Sequence, residues 1–204
     1  MNKFIKWTLK IIGFVLLIFI GFKVFLFVLF YGLFGKSYTT EDLIDNYNSK
    51  TAEILEVKKY INSVTSPDIK VDIEFEDNKT LGIFHISANG SHESNWDVKI
   101  KSEKADSLLK VIGWTIETLK TLKVKLDNAN CISVSNGEPC NIGFQRSGMG
   151  KYFYNLFDTP IADSLKNNYN DSCTYILYND KVVLEYGGGA IGSQCFPNYK
   201  RGGP

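Results

Sequence analysis

The sequence predicts an α+β fold, in which an N-terminal transmembrane helix precedes one extracytoplasmic domain with a mostly antiparallel sheet and about three helices. Three observations predict this arrangement. Residues 11–34 contain a single charged side chain, Lys23, and hairpin signals recur after this run. Helical periodicities are interspersed among the hairpins and do not alternate strictly with single strands, which favours α+β over α/β. We therefore divide the chain into a cytoplasmic segment (1–10), an anchor (11–34) and an extracytoplasmic domain (37–204).

The apolar run at residues 11–34 is long enough to cross a membrane as a helix. It has 24 residues, and about 20 apolar residues span a bilayer core of about 30 Å. Lys3, Lys6 and Lys10 precede the run, whereas the first acidic residue of the chain is Glu41. Because positively charged flanks stay on the cytoplasmic side, we expect a single-pass protein of the cell membrane whose domain is periplasmic or extracellular.

Three residues of this region are interpreted as membrane-anchor residues. Trp7 and Tyr31 lie near the two ends, where amphipathic rings suit the headgroup levels. Lys23 lies near the middle, where its charge is costly unless the side chain reaches an interface or meets a carboxylate or carbonyl of a partner helix. A cleaved signal peptide is the alternative to an uncleaved anchor. No alanine precedes Ala52 and no A-x-A-like site follows residue 22, so the sequence favours the uncleaved anchor.

The first half of the domain is predicted to contain one helix and three strands. Thr39 or Thr40 is a suitable N-cap, and apolar residues then recur at helical spacing until Pro67 ends the helix. Apolar and polar residues alternate strictly over residues 69–75, which is the pattern of a half-buried strand. The other predicted strands are 81–88, and one around Trp96, Val98 and Ile100 after a polar loop at 89–95.

The second half of the domain is predicted to contain a long helix, a short helix and two hairpins. Ser102 caps a helix whose apolar stripe runs continuously to Leu122, and Trp114 lies off that stripe and is expected to be exposed. The remaining elements are indicated by turn signals. They are a hairpin around Asn136-Gly137, an aromatic strand at 152–157, a short helix from Thr159-Pro160 to about Asn168, and a hairpin around Asn179-Asp180.

The four cysteines all follow the apolar run. They are Cys131, Cys140, Cys173 and Cys195. An even number of cysteines in an exported domain indicates disulfides, although four cysteines allow three connectivities. We favour the pairs Cys131–Cys140 and Cys173–Cys195, because each pair brackets a predicted hairpin or its continuation.

The charge of the domain argues against one class of partner. Four of the 23 basic residues lie before residue 35, which leaves 19 basic against 22 acidic residues and a net charge of −3. Nucleic-acid binding requires a basic face. We therefore expect no nucleic-acid partner.

The sequence predicts no metal site. The candidate ligands are His85, His92, Glu93 and Asp97, which all belong to the predicted second and third strands or the loop between them. Their spacing matches no helical or hairpin pattern of metal ligands. Isolated surface histidines are the simpler interpretation.

Two further patterns lack the context that catalysis or cofactor binding requires. Gly187, Gly189 and Gly192 spell G-x-G-x-x-G, but the twelve residues after Gly192 do not provide the helix and the acidic residue of a dinucleotide site. Ser147 lacks the flanking glycine of a G-x-S-x-G elbow, and disulfide pairing removes every cysteine nucleophile. We therefore assign no catalytic residue and no cofactor.

Tyrosines are concentrated near the end of the chain. Seven of the eleven lie between residues 152 and 199. Tyrosine is a good strand former and is also enriched at recognition surfaces. Both interpretations stay open, and the second gives Tyr152, Tyr154 and Tyr175 as a possible binding surface.

Together these patterns favour a non-enzymatic binding or interaction module that is anchored in a membrane of the cell envelope, as an accessory subunit or an immunity-like protein. Its expected partners are the lipid bilayer and another envelope protein. The alternative is an envelope enzyme that acts on glycan or peptide through dispersed carboxylates, which spacing alone does not reveal.

Overall fold

The computed structural model describes residues 3–34, 36–88, 90–187 and 192–197. Within the first of these ranges, the side chains of residues 3–6, 8, 9, 11 and 28–34 lie outside the description. The chain divides into two compact units, Met1–Ser37 and Tyr38–Pro204.

The described part of the first unit contains one helix, α1 (Lys3–Phe34). Most of its described side chains are exposed on every side of the helix, and Phe14 and Leu17 expose 66% and 70% of their surface. Trp7 is also exposed, and the Lys23 Nζ lies 5.6 Å from the centroid of the Phe19 ring. The side chain of Tyr31 lies outside the described residues. Among the residues that the structure describes, no helix is both long enough and apolar enough to cross a membrane.

The second unit has the predicted α+β fold with an antiparallel sheet. Within its described residues, eight strands are ordered β3-β2-β1-β4-β5-β6-β8-β7, and all neighbouring strands are antiparallel. The elements are α2 (Thr40–Val64), β1 (Ile69–Phe75), β2 (Thr80–Ala88), β3 (Ser91–Lys99), α3 (Glu103–Val111), α4 (Ile116–Asn128), β4 (Ser133–Ser135), β5 (Cys140–Ser147), β6 (Gly150–Leu156), α5 (Asp163–Lys166), a 3₁₀ turn (Asn167–Tyr169), β7 (Tyr175–Asn179) and β8 (Val182–Gly187).

The hydrophobic core lies between the sheet and the helices. Helix α2 begins at a capping box, in which the Thr39 hydroxyl accepts from the backbone N–H of Asp42 and the Asp42 carboxylate accepts from the backbone N–H of Thr39. The helix packs against α4, β4 and β5. Its core-facing side chains, which include Leu43, Ile54 and Ile61, are fully buried.

The long helix predicted after Ser102 is two helices, α3 and α4. The break lies at Gly113, whose φ of 71° is a left-handed conformation that favours glycine. The break turns Trp114 inward, so the expectation that Trp114 is exposed was wrong. Only 5% of its surface is exposed, and its Nε1–H donates to the Val64 carbonyl at 2.8 Å. The described part of the domain therefore contains four α-helices, where about three were expected.

Of the two predicted disulfides, the structure contains one. Cys173 and Cys195 are bonded, which confirms that pair, whereas Cys131 and Cys140 are free and buried. The reason is the register of the β4–β5 hairpin, in which Ser135 pairs with Asn141. Cys140 lies at the closed end of this hairpin and Cys131 at its open end, about five residues or 17 Å away along the strands. A disulfide requires Cα atoms within about 7 Å.

A thiol titration checks this assignment. We expect two free thiols per chain in denaturant without reductant, and none that react in the native protein. Burial raises the pKa of the Cys131 and Cys140 thiols to about 12, so little thiolate is present at neutral pH. A count of zero thiols in denaturant contradicts the structure and restores the two-disulfide pairing.

Candidate functional site

The two faces of the sheet differ in chemistry because side chains alternate along each strand. One face carries the apolar side chains of the core. On the opposite face, strand register aligns one residue from each of the eight strands into a continuous line, which we call the cross-sheet row. In strand order its members are Trp96, Ile83, Glu74, Ser133, Gly143, Phe153, Glu185 and Tyr175.

Glu74 is the centre of a buried ion cluster in this row. Only 4% of its surface is exposed. Its Oε2 accepts from the Lys151 Nζ and from the Arg146 Nη2, each at 2.9 Å, and its Oε1 accepts from the Arg146 Nε. The Lys151 Nζ also donates to the Ser133 hydroxyl at 2.9 Å. Every charge in this cluster has a direct partner, as buried charges require.

Gly143 makes the cluster possible. Lys151 starts on β6 and reaches Ser133 on β4 and Glu74 on β1, so its side chain must cross β5. It crosses at Gly143, where an added Cβ would lie 3.1 Å from the Lys151 Cδ and would collide with the Ser133 Oγ. A side chain at this position would therefore separate Lys151 from Glu74.

The pKa values of two neighbouring carboxyls, Glu74 and Asp72, are shifted in opposite directions. Burial is the largest influence on the pKa of Glu74 and raises it, but the adjacent Lys151 and Arg146 cations outweigh burial, so the pKa of Glu74 is lowered. Asp72 lies two residues away on the same face and opposite His85. Burial raises the pKa of Asp72 and lowers the pKa of His85, although each of the two groups opposes the shift of the other.

A separate polar group lies at the other end of the row. The Asn155 Nδ2 donates to the Glu185 Oε2 at 2.8 Å, and burial raises the pKa of Glu185 against the hydrogen bonds from Asn155 and Tyr175. Glu185 and Glu74 lie on strands that are four positions apart in the sheet, so the distance between them across the strands is about 19 Å. The two glutamates are therefore too far apart to act on one substrate bond as a carboxylate pair.

A cleft of about 610 Å³ occupies the β3–β2–β1 end of the row. Its lining includes Ile83, Trp96, Asp97, Arg146 and Met149. Trp96 comes from the edge strand β3, and Met149 comes from the turn between β5 and β6. Trp96 and Met149 expose 61% and 59% of their surface. We call this feature the Trp96–Met149 cleft.

The three tyrosines named as a possible binding surface do not form one exposed surface. Tyr152 and Tyr154 are fully buried on the core face. Tyr154 donates to the Leu43 carbonyl at 2.9 Å, and Tyr152 accepts from the backbone N–H of Tyr38 at 3.2 Å. Tyr175 lies on the opposite face, half-buried at the end of the cross-sheet row. β6 turns Tyr152 and Tyr154 toward α2, where they belong to the core.

The candidate metal ligands are only partly brought together. The rings of His85 and His92 lie 6.0 Å apart, but Glu93 pairs with Lys104 at 2.6 Å. The two ring nitrogens of His92 are hydrogen-bonded to Ser87 and Ser94. No group of three or more metal-ligating side chains occurs within the described ranges. Of the G-x-G-x-x-G pattern, Gly189 lies outside them.

Sequence reasoning missed the residues that make this site. Glu74 belonged to the polar half of a correctly predicted strand, but its partners Lys151 and Arg146 lie more than 70 residues away. The only local signal was Gly143 within a predicted strand, since an isolated glycine in a strand often marks a close approach.

The chain was compared with protein-family models, curated proteins and solved structures, and none of them matches it.

Proposed function

We propose that this chain is a non-enzymatic binding module, held at the outer face of a membrane of the cell envelope, that contacts another envelope protein through the Trp96–Met149 cleft. One observation carries the proposal. Trp96 and Met149 both expose more than half of their surface in a single cleft beside the Arg146 guanidinium. Tryptophan, methionine and arginine are enriched in the central, energetically dominant parts of protein interfaces.

The ion cluster supports this use of the cleft. Arg146 is held by two hydrogen bonds to Glu74, and its side chain stays 37% exposed. A side chain that is already ordered loses less conformational entropy when a partner binds. The cleft therefore presents an ordered guanidinium together with two exposed apolar groups, and the carboxylates of Glu76 and Asp97 also belong to its lining. It fits a partner with an apolar side chain next to polar groups.

The proposed attachment to a membrane is supported by the apolar run at residues 11–34 and by its charge asymmetry. The described side chains of α1 between residues 12 and 27 agree with it, because nearly all are exposed and apolar on every side of the helix. An unshielded apolar surface of this kind requires a covering phase or partner. The run continues beyond these side chains to residue 34.

The alternative, an enzyme that acts on glycan or peptide through dispersed carboxylates, has weaker support. Glu74 accepts three hydrogen bonds from two cations and is almost fully buried, so little of its carboxylate is accessible to a substrate. Asp72 has a raised pKa, as a general acid requires. The nearest carboxyl on its strand is Glu74, whose charge is already paired with two cations, so Asp72 has no second free carboxylate on this strand to act with it. Binding by the exposed cleft requires no such free group.

Photocrosslinking tests the proposal in the protein's native membranes. A benzophenone amino acid at position 96 should give one crosslinked product of discrete mass, because this position lies at the centre of the proposed interface. The same amino acid at position 165 is the control, since Leu165 is also an exposed apolar residue, at 47%, but lies on α5 away from the cleft. Equal products from both positions would contradict the proposal.

A binding measurement with the crosslinked partner follows. Trp96→Ala should weaken binding about 30-fold, the equivalent of the 2 kcal/mol that defines an interface hot spot. Met149→Ala should weaken binding in the same direction, and Leu165→Ala should leave it unchanged. Unchanged affinity in both cleft variants, with the fold retained by circular dichroism, would exclude this cleft as the interface.

A further inference from the structure

A second cleft, of about 670 Å³, lies between α4, the β1–β2 turn and the segment that joins β3 to α3. Its floor is apolar and its rim is basic, so we call it the lysine-ringed cleft. The floor includes Phe75, Ile100, Ile116 and Leu119, and Val124 lies at the edge. The rim lysines are Lys79, Lys99, Lys101, Lys120 and Lys123.

The charge of this cleft differs in sign from that of the surrounding domain. Its lining has five lysines and one acidic residue, Asp127, a formal sum of +4. Residues 35–204 carry a net charge of −3. A positive lining in a negatively charged domain favours an anionic ligand over other solutes.

Part of this charge is available to a ligand. Lys79 and Lys101 are exposed and take part in no ion pair within the described part of the chain. Lys99 donates to the Thr80 hydroxyl at 2.9 Å, and Lys120 forms an exposed pair with Glu117 at 3.2 Å. Ion pairs between exposed side chains are weak, so an anionic ligand can replace the acidic partner of Lys120.

The floor explains why a small anion alone does not match the cleft. Phe75, Ile100 and Leu119 form a closed apolar base, and Val124 exposes 57% of its surface at the edge. The Lys123 Nζ lies 5.8 Å from the centroid of the Phe75 ring, so a cation already borders this base. Small-molecule sites commonly combine such an apolar lining with a few charged groups that fix the ligand's orientation.

We propose that the lysine-ringed cleft binds a single-chain anionic amphiphile, such as a fatty acid or a lysophospholipid with an anionic headgroup. The hydrocarbon chain covers the apolar floor, and the headgroup contacts Lys79 and Lys101. A single molecule fits better than a bilayer surface, because the buried apolar residues Phe75, Ile100 and Leu119 form the base of a concave cleft. This inference does not depend on the Trp96–Met149 cleft, whose lining shares only Phe75 with this one.

The experiment uses the full chain in nanodiscs of zwitterionic phosphatidylcholine. A twelve-carbon fatty acid with a diazirine on its chain is photolysed below its micellar concentration, and the labelled peptides are mapped by mass spectrometry. The expected label lies in residues 116–127 and is competed by unlabelled dodecanoate. Mapping the covalent product distinguishes the cleft from partition into the nanodisc lipid.

Matched variants show whether labelling depends on the rim lysines of the cleft or only on the net charge of the protein. Lys79→Gln with Lys101→Gln should raise the half-saturating concentration about tenfold, because two exposed ionic contacts are lost. Lys59→Gln with Lys110→Gln changes the net charge equally but lies outside the cleft, and it should have no effect. Raising the ionic strength should weaken labelling of the original protein more than that of the first variant.

Three outcomes would overturn the inference. Equal labelling of the cleft by a diazirine-tagged dodecanol would show that charge has no role. Full competition by inorganic phosphate would indicate a site for bare anions. Competition by phosphatidylglycerol placed in the nanodisc, without competition by dodecanoate, would identify a bilayer lipid as the ligand.

Discussion

Lys151→Met is expected to destabilise the domain by about 3 kcal/mol, because it leaves Glu74 buried with one cation fewer and removes the donor to the Ser133 hydroxyl. The Lys151 side chain is only 6% exposed, so water does not replace it easily. This loss is large against a total stability of about 5–15 kcal/mol for a typical domain. Urea unfolding of the full chain in detergent, followed by near-ultraviolet circular dichroism at neutral pH, measures it.

The effect should depend on pH in a defined direction. The pKa of Glu74 is lowered in the folded protein, so its ionisation stabilises the fold above the unfolded pKa of about 4.3, and this stability is lost as pH falls through the folded pKa. Lys151 supplies part of that lowering. The difference in stability between the original protein and Lys151→Met should therefore be largest at neutral pH and should shrink below about pH 4.

Two controls distinguish this mechanism from general damage to packing. Lys120→Met removes an exposed lysine with an exposed partner and should change stability little. Adding Glu74→Gln to Lys151→Met removes the uncompensated charge, so the double variant should recover part of the lost stability. The part of the pH dependence of stability that comes from ionisation of Glu74 should also disappear. A pH-independent loss in Lys151→Met would contradict the electrostatic explanation.

Local sequence patterns predicted an element correctly where the residues of that element alone determine its structure. The alternation over residues 69–75 predicted β1 with its bounds, and the Asn136-Gly137 signal predicted the β4–β5 hairpin. The polar residues of the expected loop at 89–95 are largely strand instead, since β3 starts at Ser91. An edge strand with one polar face does not need the apolar alternation of an interior strand.

Local patterns failed where distant residues decide the outcome. The apolar stripe from Ala105 to Leu122 continues across Gly113, and a single glycine within a helical pattern does not by itself predict a break. The break is stabilised by Trp114, which bonds to Val64 about 50 residues away. In the same way, no local pattern relates Lys151 to Glu74, because three strand pairings bring them together.

The cysteines illustrate the same limit. The rule that a pair brackets a hairpin gave the correct bond for Cys173–Cys195 but not for Cys131–Cys140. Bracketing in sequence places two residues close in space only when the register sets them opposite each other. In the β4–β5 hairpin the register places Cys140 near the turn and Cys131 at the far end, and sequence alone does not determine that offset.

Cys173→Ser is expected to lower the melting temperature by about 10 °C. The Cys173–Cys195 bond closes a loop with a sequence separation of 22, and the entropy model gives such a loop about 3 kcal/mol. Each kcal/mol corresponds to about 2–4 °C in a domain of this size. The bond also fixes Phe196, which is 3% exposed and packs 5.6 Å from the Tyr152 ring centroid. Differential scanning calorimetry of the full chain in detergent measures the change.

The control variants assign the effect to the bond itself. Cys131→Ala removes a buried free thiol and should cost less, because it opens no covalent loop. The double variant Cys173→Ser with Cys195→Ser should melt at the same temperature as Cys173→Ser, since both variants lack the same bond. Reductant should lower the melting temperature of the original protein toward that value and leave the Cys173→Ser variant unchanged. A melting temperature that reductant does not alter, with both thiols shown to be reduced, would mean that the bond does not stabilise the fold.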